Sequence, residues 1–246
     1  MKIKDILRHL ETSFPLEKQE SWDHSGLQVG NIENECDRVL ICLNVDQHTI
    51  QQAIDHHCQL IVSHHPFLFH PVKEIDQNTT VGHNIIQLIK HDITVYSMHT
   101  NYDALKMNTM LLEKMGCINI QPVDFTGISR VGQLKESMAF DQLIQKLKQQ
   151  FNLPYIRICG NKPDLVHTIS LCAGSGHDYI NEALDVSDVF ITGDLTYTHA
   201  MDIILRKQGC VIELPHFIEE AFKKDIQSYI LIDSIISDES DYFQVL

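Results

Sequence analysis

The stretch LIVSHHPFLFH, residues 60–70, decides how the chain is read. Leu60, Ile61, Val62 and Ser63 form a short run bounded by turn signals, the pattern of a strand buried within a parallel sheet. His64, His65 and Pro66 follow directly. Strand side chains alternate between faces, so two adjacent histidines inside a strand cannot share a site. At a strand end that alternation relaxes, and Pro66 stops the ladder by removing a donor and fixing φ. The two rings can then splay from one bend, each serving a different metal of one cluster. The competing reading is two unrelated imidazoles, one buried and one exposed.

Working outward, short apolar runs alternate with helical patterns. In the first half, strands at 38–45, 60–63 and 93–97 alternate with helices at 49–57, 81–91 and 108–115. In the second half, strands at 168–172, 189–192 and 210–214 alternate with helices at 178–186, 196–208 and from 216 onward. Both halves read β-α-β-α-β-α, which is the signature of α/β architecture with largely parallel strands. The expected fold is therefore two related units in a two-domain subunit, with a metal site in the cleft at the strand carboxyl ends. The alternative is one continuous sheet with no duplication. The expected division is 1–125 for the first domain and 126–215 for the second. The C-terminal helix, 216–246, is a candidate to pack back on the first. Between the repeats, Phe140, Leu143, Ile144 and Leu147 mark an amphipathic helix.

Composition narrows the function. The 246 residues are 43% hydrophobic and 21% charged, with a net charge of −14. That charge argues against a nucleic-acid phosphate backbone or an anionic membrane as partner. It leaves room for a small anionic substrate, because a bound metal can dominate the local field. No run approaches the roughly 20 apolar residues that cross a bilayer. MKIKDILRHLETSFP (1–15) places Ile3, Ile6, Leu7 and Leu10 on one helical face, and a cytoplasmic location is expected. The seven cysteines contain no C-x-x-C pair and read as small buried hydrophobes.

Fifteen histidines are the oddity, and position must sort them. Strand 93–97 ends just before HTNYD (99–103), where Asp103 adds an oxygen donor to His99. Strand 210–214 ends at Pro215, and His216 opens the next helix. At about 100° per residue, His216 and Glu220 lie on one face and Glu219 is turned away. The competing reading of that pair is a solvated helix face. Histidine plus carboxylate without thiolate suits Zn²⁺, Fe²⁺, Mn²⁺, Ni²⁺ or Co²⁺ and does not select among them. GSG (174–176) between a strand and a helix is a candidate phosphate cradle through Gly174, Ser175 and Gly176, or simply a tight turn.

WDHSGLQVG (22–30), SHHP (63–66), HTNYD (99–103), GSG (174–176), TGDLTYTHA (192–200) and PHFIEE (215–220) together resemble the NGG-interacting-factor-three-like family, also labelled GTP cyclohydrolase I type-two homologues. The motifs span nearly the whole chain, which resembles the short bacterial form. The resemblance implies a homohexameric toroid with two divalent metal ions per subunit. It implies that His64 and His216 bind one ion, that His65 and Asp103 bind the other, and that Glu220 bridges both. His99 and His199 match family histidines that look like supporting or substrate-facing groups. His24 departs from the usual asparagine, Tyr102 from an aliphatic residue and Pro215 from glycine, while Ile218 and Glu219 replace small residues.

Two functions follow. One is a metal-dependent hydrolase using a water that bridges the ions, with Glu220 orienting it, His99 or His199 carrying a proton, and GTP or another nucleotide-like small molecule as substrate. The other is a non-enzymatic metal-binding or regulatory scaffold. Catalysis needs an open coordination position, and five ligands shared by two ions leave one.

Overall fold

The computed structural model describes residues 1–244. The chain divides into two compact units: Met1–Tyr102 with Glu220–Asp241, and Asp103–Glu219 with residues 242–244. The boundary expected near residue 125 therefore falls at Tyr102/Asp103. The reason is local pairing. The strand Cys117–Pro122 runs antiparallel to Arg130–Ala139. Asn108, on the helix before it, donates to the carbonyl of Ile128 and accepts from the N–H of Ala173. These bonds tie 103–125 to the second sheet.

The first unit carries a five-stranded sheet in the order Gly26–Val29, Thr94–Ser97, Leu60–Ser63, Arg38–Cys42 and Asp233–Ile236. The last four are parallel, and only Gly26–Val29 runs antiparallel, against Thr94–Ser97. Leu60–Ser63 and Thr94–Ser97 are buried throughout, as strands covered on both faces must be. The crossover helices Gln47–Asp55 and Thr80–Lys90 start at Asp46 and Thr79, whose side chains accept from Thr49 N and Gly82 N. Such caps each contribute about 1 kcal/mol. Helix Ile3–Ser13 buries Ile3, Ile6, Leu7 and Leu10.

The second unit carries a six-stranded sheet in the order Cys117–Pro122, Arg130–Ala139, Leu165–Leu171, Val189–Thr192, Cys210–Glu213 and Arg157–Gly160. Three of these strands, Leu165–Leu171, Val189–Thr192 and Cys210–Glu213, form a parallel triplet. Arg157–Gly160 closes that triplet antiparallel against Cys210–Glu213.

The internal repeat is thus longer than the β-α-β-α-β-α pattern. In each unit a strand that precedes the parallel triplet in sequence pairs antiparallel with the triplet's last strand. The lead strands, GLQV (26–29) and RICG (157–160), are four residues each and carry glycine and polar residues, so they lack a clear strand signal. The units differ in what is added: Asp233–Ile236 in the first, and the pair Cys117–Pro122 and Arg130–Ala139 in the second.

The segment read as a helix over 216–246 is instead a 3₁₀ turn, His216–Glu220, a helix, Ala221–Gln227, and the strand Asp233–Ile236; residues 245–246 of that expectation lie outside the described residues. All seven cysteines are free thiols, and all but Cys159 are buried. Among the described residues no helix is long and apolar enough to cross a membrane.

Candidate metal centre

In the first unit His64, His65 and His99 bring one ring nitrogen each within 4.8 Å of the others. Their ring centroids lie 5.0, 5.3 and 5.7 Å apart. The ladder runs on past Ser63: the N–H groups of His64 and His65 still donate to Cys42 and Leu43 carbonyls. The Ser63 hydroxyl is 2.9 Å from the His65 carbonyl and 2.8 Å from the Ser97 hydroxyl, holding the bend at the strand end.

Each of the three rings is oriented through Nδ1. His64 donates from Nδ1 to the Met98 carbonyl at 2.9 Å, and its ring is fully buried. His65 donates to Asn44 Oδ1 at 2.7 Å. His99 donates to Asp23 Oδ1 at 2.8 Å. A carbonyl or carboxylate can only accept, so the proton of each neutral ring sits on Nδ1 and the lone pair on Nε2. That is how metal-binding imidazoles are prepared. His99, expected as a supporting group, therefore stands at ligand distance beside the pair.

Two carboxylates hold this arrangement in place. Asp23, with a fully buried side chain, accepts from His99 and also from His24 N, Ser25 Oγ, Thr100 N and Thr100 Oγ1. Burial alone would raise its pKa, but the hydrogen bonds and charge of His99, with those of Thr100 and His24, outweigh it and hold the carboxyl well below the usual range. Glu239 accepts from Leu43 N and Asn44 N at 2.8 Å each, which fixes the loop that presents Asn44 to His65.

In the second unit His216 lies between two acids. Its Nδ1 is 2.6 Å from Asp194 Oδ2 and its Nε2 is 2.9 Å from Glu219 Oε2. Burial works against the charged ring, but Glu219 and Asp194 overcome it and push its pKa up to about 11. Asp103, at the start of a π-helical turn, is buried, and one of its carboxylate oxygens lies within 4.8 Å of one from Glu219. Single π-turns recur at functional sites.

The structure brings Glu219, and not the expected Glu220, to His216. His216–Glu220 is a 3₁₀ turn, where residues i and i+3 eclipse, and not the α-helix that would align i and i+4. Glu219 therefore faces His216 and is 2% exposed, while Glu220 is exposed.

Gly174 backs this pair: a Cβ there would stand 2.7 Å from Glu219 Oε1 and 3.3 Å from His216 Nε2, and its φ of +62° suits glycine. The Gly176 N–H donates to Thr192 Oγ1 within the turn, and Ser175 Oγ lies 2.9 Å from His177 Nδ1. GSG thus packs tightly around its own neighbours. His199 is engaged elsewhere: its Nδ1 accepts from Thr196 N, and its ring stacks on His177 at 4.4 Å.

The residues that sequence reading left unassigned are Asp23, Asn44, Asp194 and Glu219. A signal existed for three of them. Asp23, Asp194 and Glu219 sit in motifs already singled out, the first two just after a tryptophan turn and a strand end.

The donor chemistry fits divalent transition metals: three imidazole nitrogens in one unit, and two carboxylates with an imidazole in the other. The two carboxylates that flank His216, Asp194 and Glu219, make this a place where positive charge is favoured.

Several known proteins resemble this chain over nearly its whole length. A Clostridium acetobutylicum protein named GTP cyclohydrolase 1 type 2 homolog is 32% identical over 88% of this chain and 84% of its own length. A Staphylococcus aureus protein of known structure superposes with a TM-score of 0.90 at 26% identity, covering 100% of this chain and 99% of that one. A Bacillus cereus protein related to NIF3 shares the fold with a TM-score of 0.91 at 20% identity, over 100% of this chain and 99% of that one. The family profile described as Duf34/NIF3 (NGG1p interacting factor 3) matches residues 1–235, and the chain belongs to that family.

Proposed function

We propose that the protein is a divalent-metal-dependent hydrolase of a nucleotide-like small molecule, with GTP as the first candidate, working in the cytoplasm as a homohexamer. The observation that carries the reading is the convergence of His64, His65 and His99, each with Nδ1 committed to a protein acceptor. The relatives' name, GTP cyclohydrolase 1 type 2 homolog, supports the choice of GTP.

The two ions per subunit would be held by imidazole nitrogens of His64, His65 and His99 in the first unit and by Asp103, His216 and Glu219 in the second. The carboxylate-ligand role that the resemblance assigns to Glu220 passes to Glu219 in this proposal. Bound there, the metals would polarise a substrate oxygen and acidify water. The chain's own residues do the rest. Asp23 keeps a proton on His99 Nδ1, which leaves the Nε2 lone pair as the one that would hold an ion. Asp194 orients His216 in the same way. Gly174 keeps a side chain away from Glu219 and His216.

The test is GTP turnover, read by product mass, by protein stripped of metal and reconstituted with Mn²⁺, Zn²⁺ or Fe²⁺, with His64→Ala beside it. Turnover that needs metal and fails in His64→Ala is the expected result. Two ions bound per subunit without any turnover would overturn the hydrolase reading in favour of a metal-binding scaffold.

A further inference from the structure

Beside the histidine cluster, in the same unit, two large apolar rings face solvent. Trp22 is 61% exposed and Phe69 is 44% exposed. A single exposed aromatic is ordinary on a protein surface. These two, however, contact each other edge to face with centroids 6.1 Å apart. Each also packs against the ring of His99, at 6.2 and 6.3 Å.

Their loops are fastened together. His24 Nδ1 donates to the Leu68 carbonyl at 3.2 Å, and the Leu68 N–H donates to Gln28 Oε1 at 3.0 Å. Gln28 is nearly buried, and its amide nitrogen donates back to the His24 and Gly26 carbonyls. The turn bearing Trp22 and the turn bearing Phe69 are thus held in a fixed relation before any ligand arrives. Preorganised apolar surface next to polar, metal-competent groups is how small-molecule sites are built.

We propose that Trp22 and Phe69 form a stacking platform that takes the planar heteroaromatic ring of the substrate, placing that ring beside His99. The proposal rests on the histidine cluster being the reaction site, and it adds a substrate class: a molecule recognised by its flat ring as well as by its charge. A phosphate chain alone has no flat ring to stack. A purine or pterin has one, and aromatic stacking does not discriminate strongly between bases.

Trp22 is the only tryptophan in the chain, so its fluorescence reports on this platform alone. The metal-reconstituted full chain is titrated with GTP, ATP, a pterin and inorganic tripolyphosphate. The expected result is saturable quenching by at least one ring-bearing probe and none by tripolyphosphate. Phe69→Ala should weaken binding of the quenching probe about 5- to 100-fold, the range for losing one aromatic partner of a base. Metal stoichiometry in Phe69→Ala should equal that of wild type, which separates a lost platform from a lost site.

No quenching by any ring-bearing probe, with metal bound normally, would overturn the platform and leave the metal reading standing. Unchanged ring-probe affinity in Phe69→Ala would do the same. Trp22 fluorescence that responds to protein dilution and not to these probes would make the aromatic pair an interface between copies of the chain. Full metal content in His64→Ala would instead sink the site reading, whatever Trp22 reports.

Discussion

Replacing Asp23 by asparagine tests whether the histidine cluster is prepared for metal by the loop that bears it. Asp23 Oδ1 accepts from His24 N at 2.7 Å and from His99 Nδ1 at 2.8 Å. Its Oδ2 accepts from Ser25 Oγ at 2.9 Å, Thr100 Oγ1 at 2.6 Å and Thr100 N at 3.1 Å. Asparagine keeps one acceptor oxygen and turns the other position into an NH₂ donor. If the oxygen stays toward His99, the NH₂ meets the Thr100 N–H, a donor facing a donor. If it turns toward Thr100, the NH₂ meets His24 N–H, and His99 must move its proton to Nε2 to accept at Nδ1. At least one bond to a buried charge is lost either way. At about 1.5–3 kcal/mol for such a bond, the floor is near 1.5 kcal/mol of stability. For a chain of this length that lowers the melting temperature by about 3–6 °C. Metal affinity should fall about 10- to 100-fold, the usual cost of removing a partner that orients a metal-binding histidine. Thermal unfolding of metal-free protein gives the first quantity and Zn²⁺ titration by calorimetry gives the second. A variant that melts within a degree or two of wild type and binds Zn²⁺ equally well would refute the claim that Asp23 organises this cluster.

Other outcomes follow from the same geometry. Glu219→Ala should sharply lower metal content measured by elemental analysis, while Glu220→Ala should leave it near wild type; the reverse would restore the α-helical alignment of His216 with Glu220. Burial pushes the thiols of Cys36, Cys58, Cys117 and Cys210 up to about 11, and raises those of Cys42 and Cys172 well above normal. A thiol reagent at about pH 8 should therefore label the native protein slowly, starting with half-exposed Cys159, and reach all seven cysteines only after unfolding. Rapid native labelling at several positions would contradict this packing. Burial would raise the pKa of Asp188, but hydrogen bonds from Thr168 N, His167 N and Thr168 Oγ1 hold it below its ordinary 3.8. A carboxyl lowered on folding contributes stability above its unfolded value, and loses it as pH falls toward the folded one. The stability gap between wild type and Asp188→Asn should thus be full above about pH 4 and shrink below it. A gap independent of pH down to about 2 would show that this carboxylate contributes nothing through its charge.

Much of the fold was legible along the chain because burial leaves a local record. A strand covered on both faces must be apolar at consecutive positions, so Leu60–Ser63 and Val189–Thr192 could be placed to the residue. Helix Ile3–Ser13 announced its inward face by spacing alone. Edge elements left a fainter record. GLQV, RICG and the long Arg130–Ala139 strand carry glycine or charged residues because one side of each is less constrained. The domain boundary was misplaced for a related reason: the pairing that draws 103–125 to the second sheet links residues distant in sequence.

The candidate site divides along the same line. The sequence by itself determined that histidines and carboxylates gather at the ends of buried parallel strands, because that is where an α/β sheet leaves side chains facing open space. Motif order was enough to single out His64, His65, His99, Asp103 and His216. Only tertiary structure decided which atom of each ring is presented, through Met98, Asn44 and Asp23, because those partners arrive from other strands and loops. It also set which glutamate stands beside His216. Both helix types are compatible with the letters HFIEE, and the choice of a 3₁₀ turn rotates each successive side chain by about 120° instead of 100°. That difference of about 20° per residue, accumulated over three residues, brings one glutamate to His216 and leaves its neighbour in solvent.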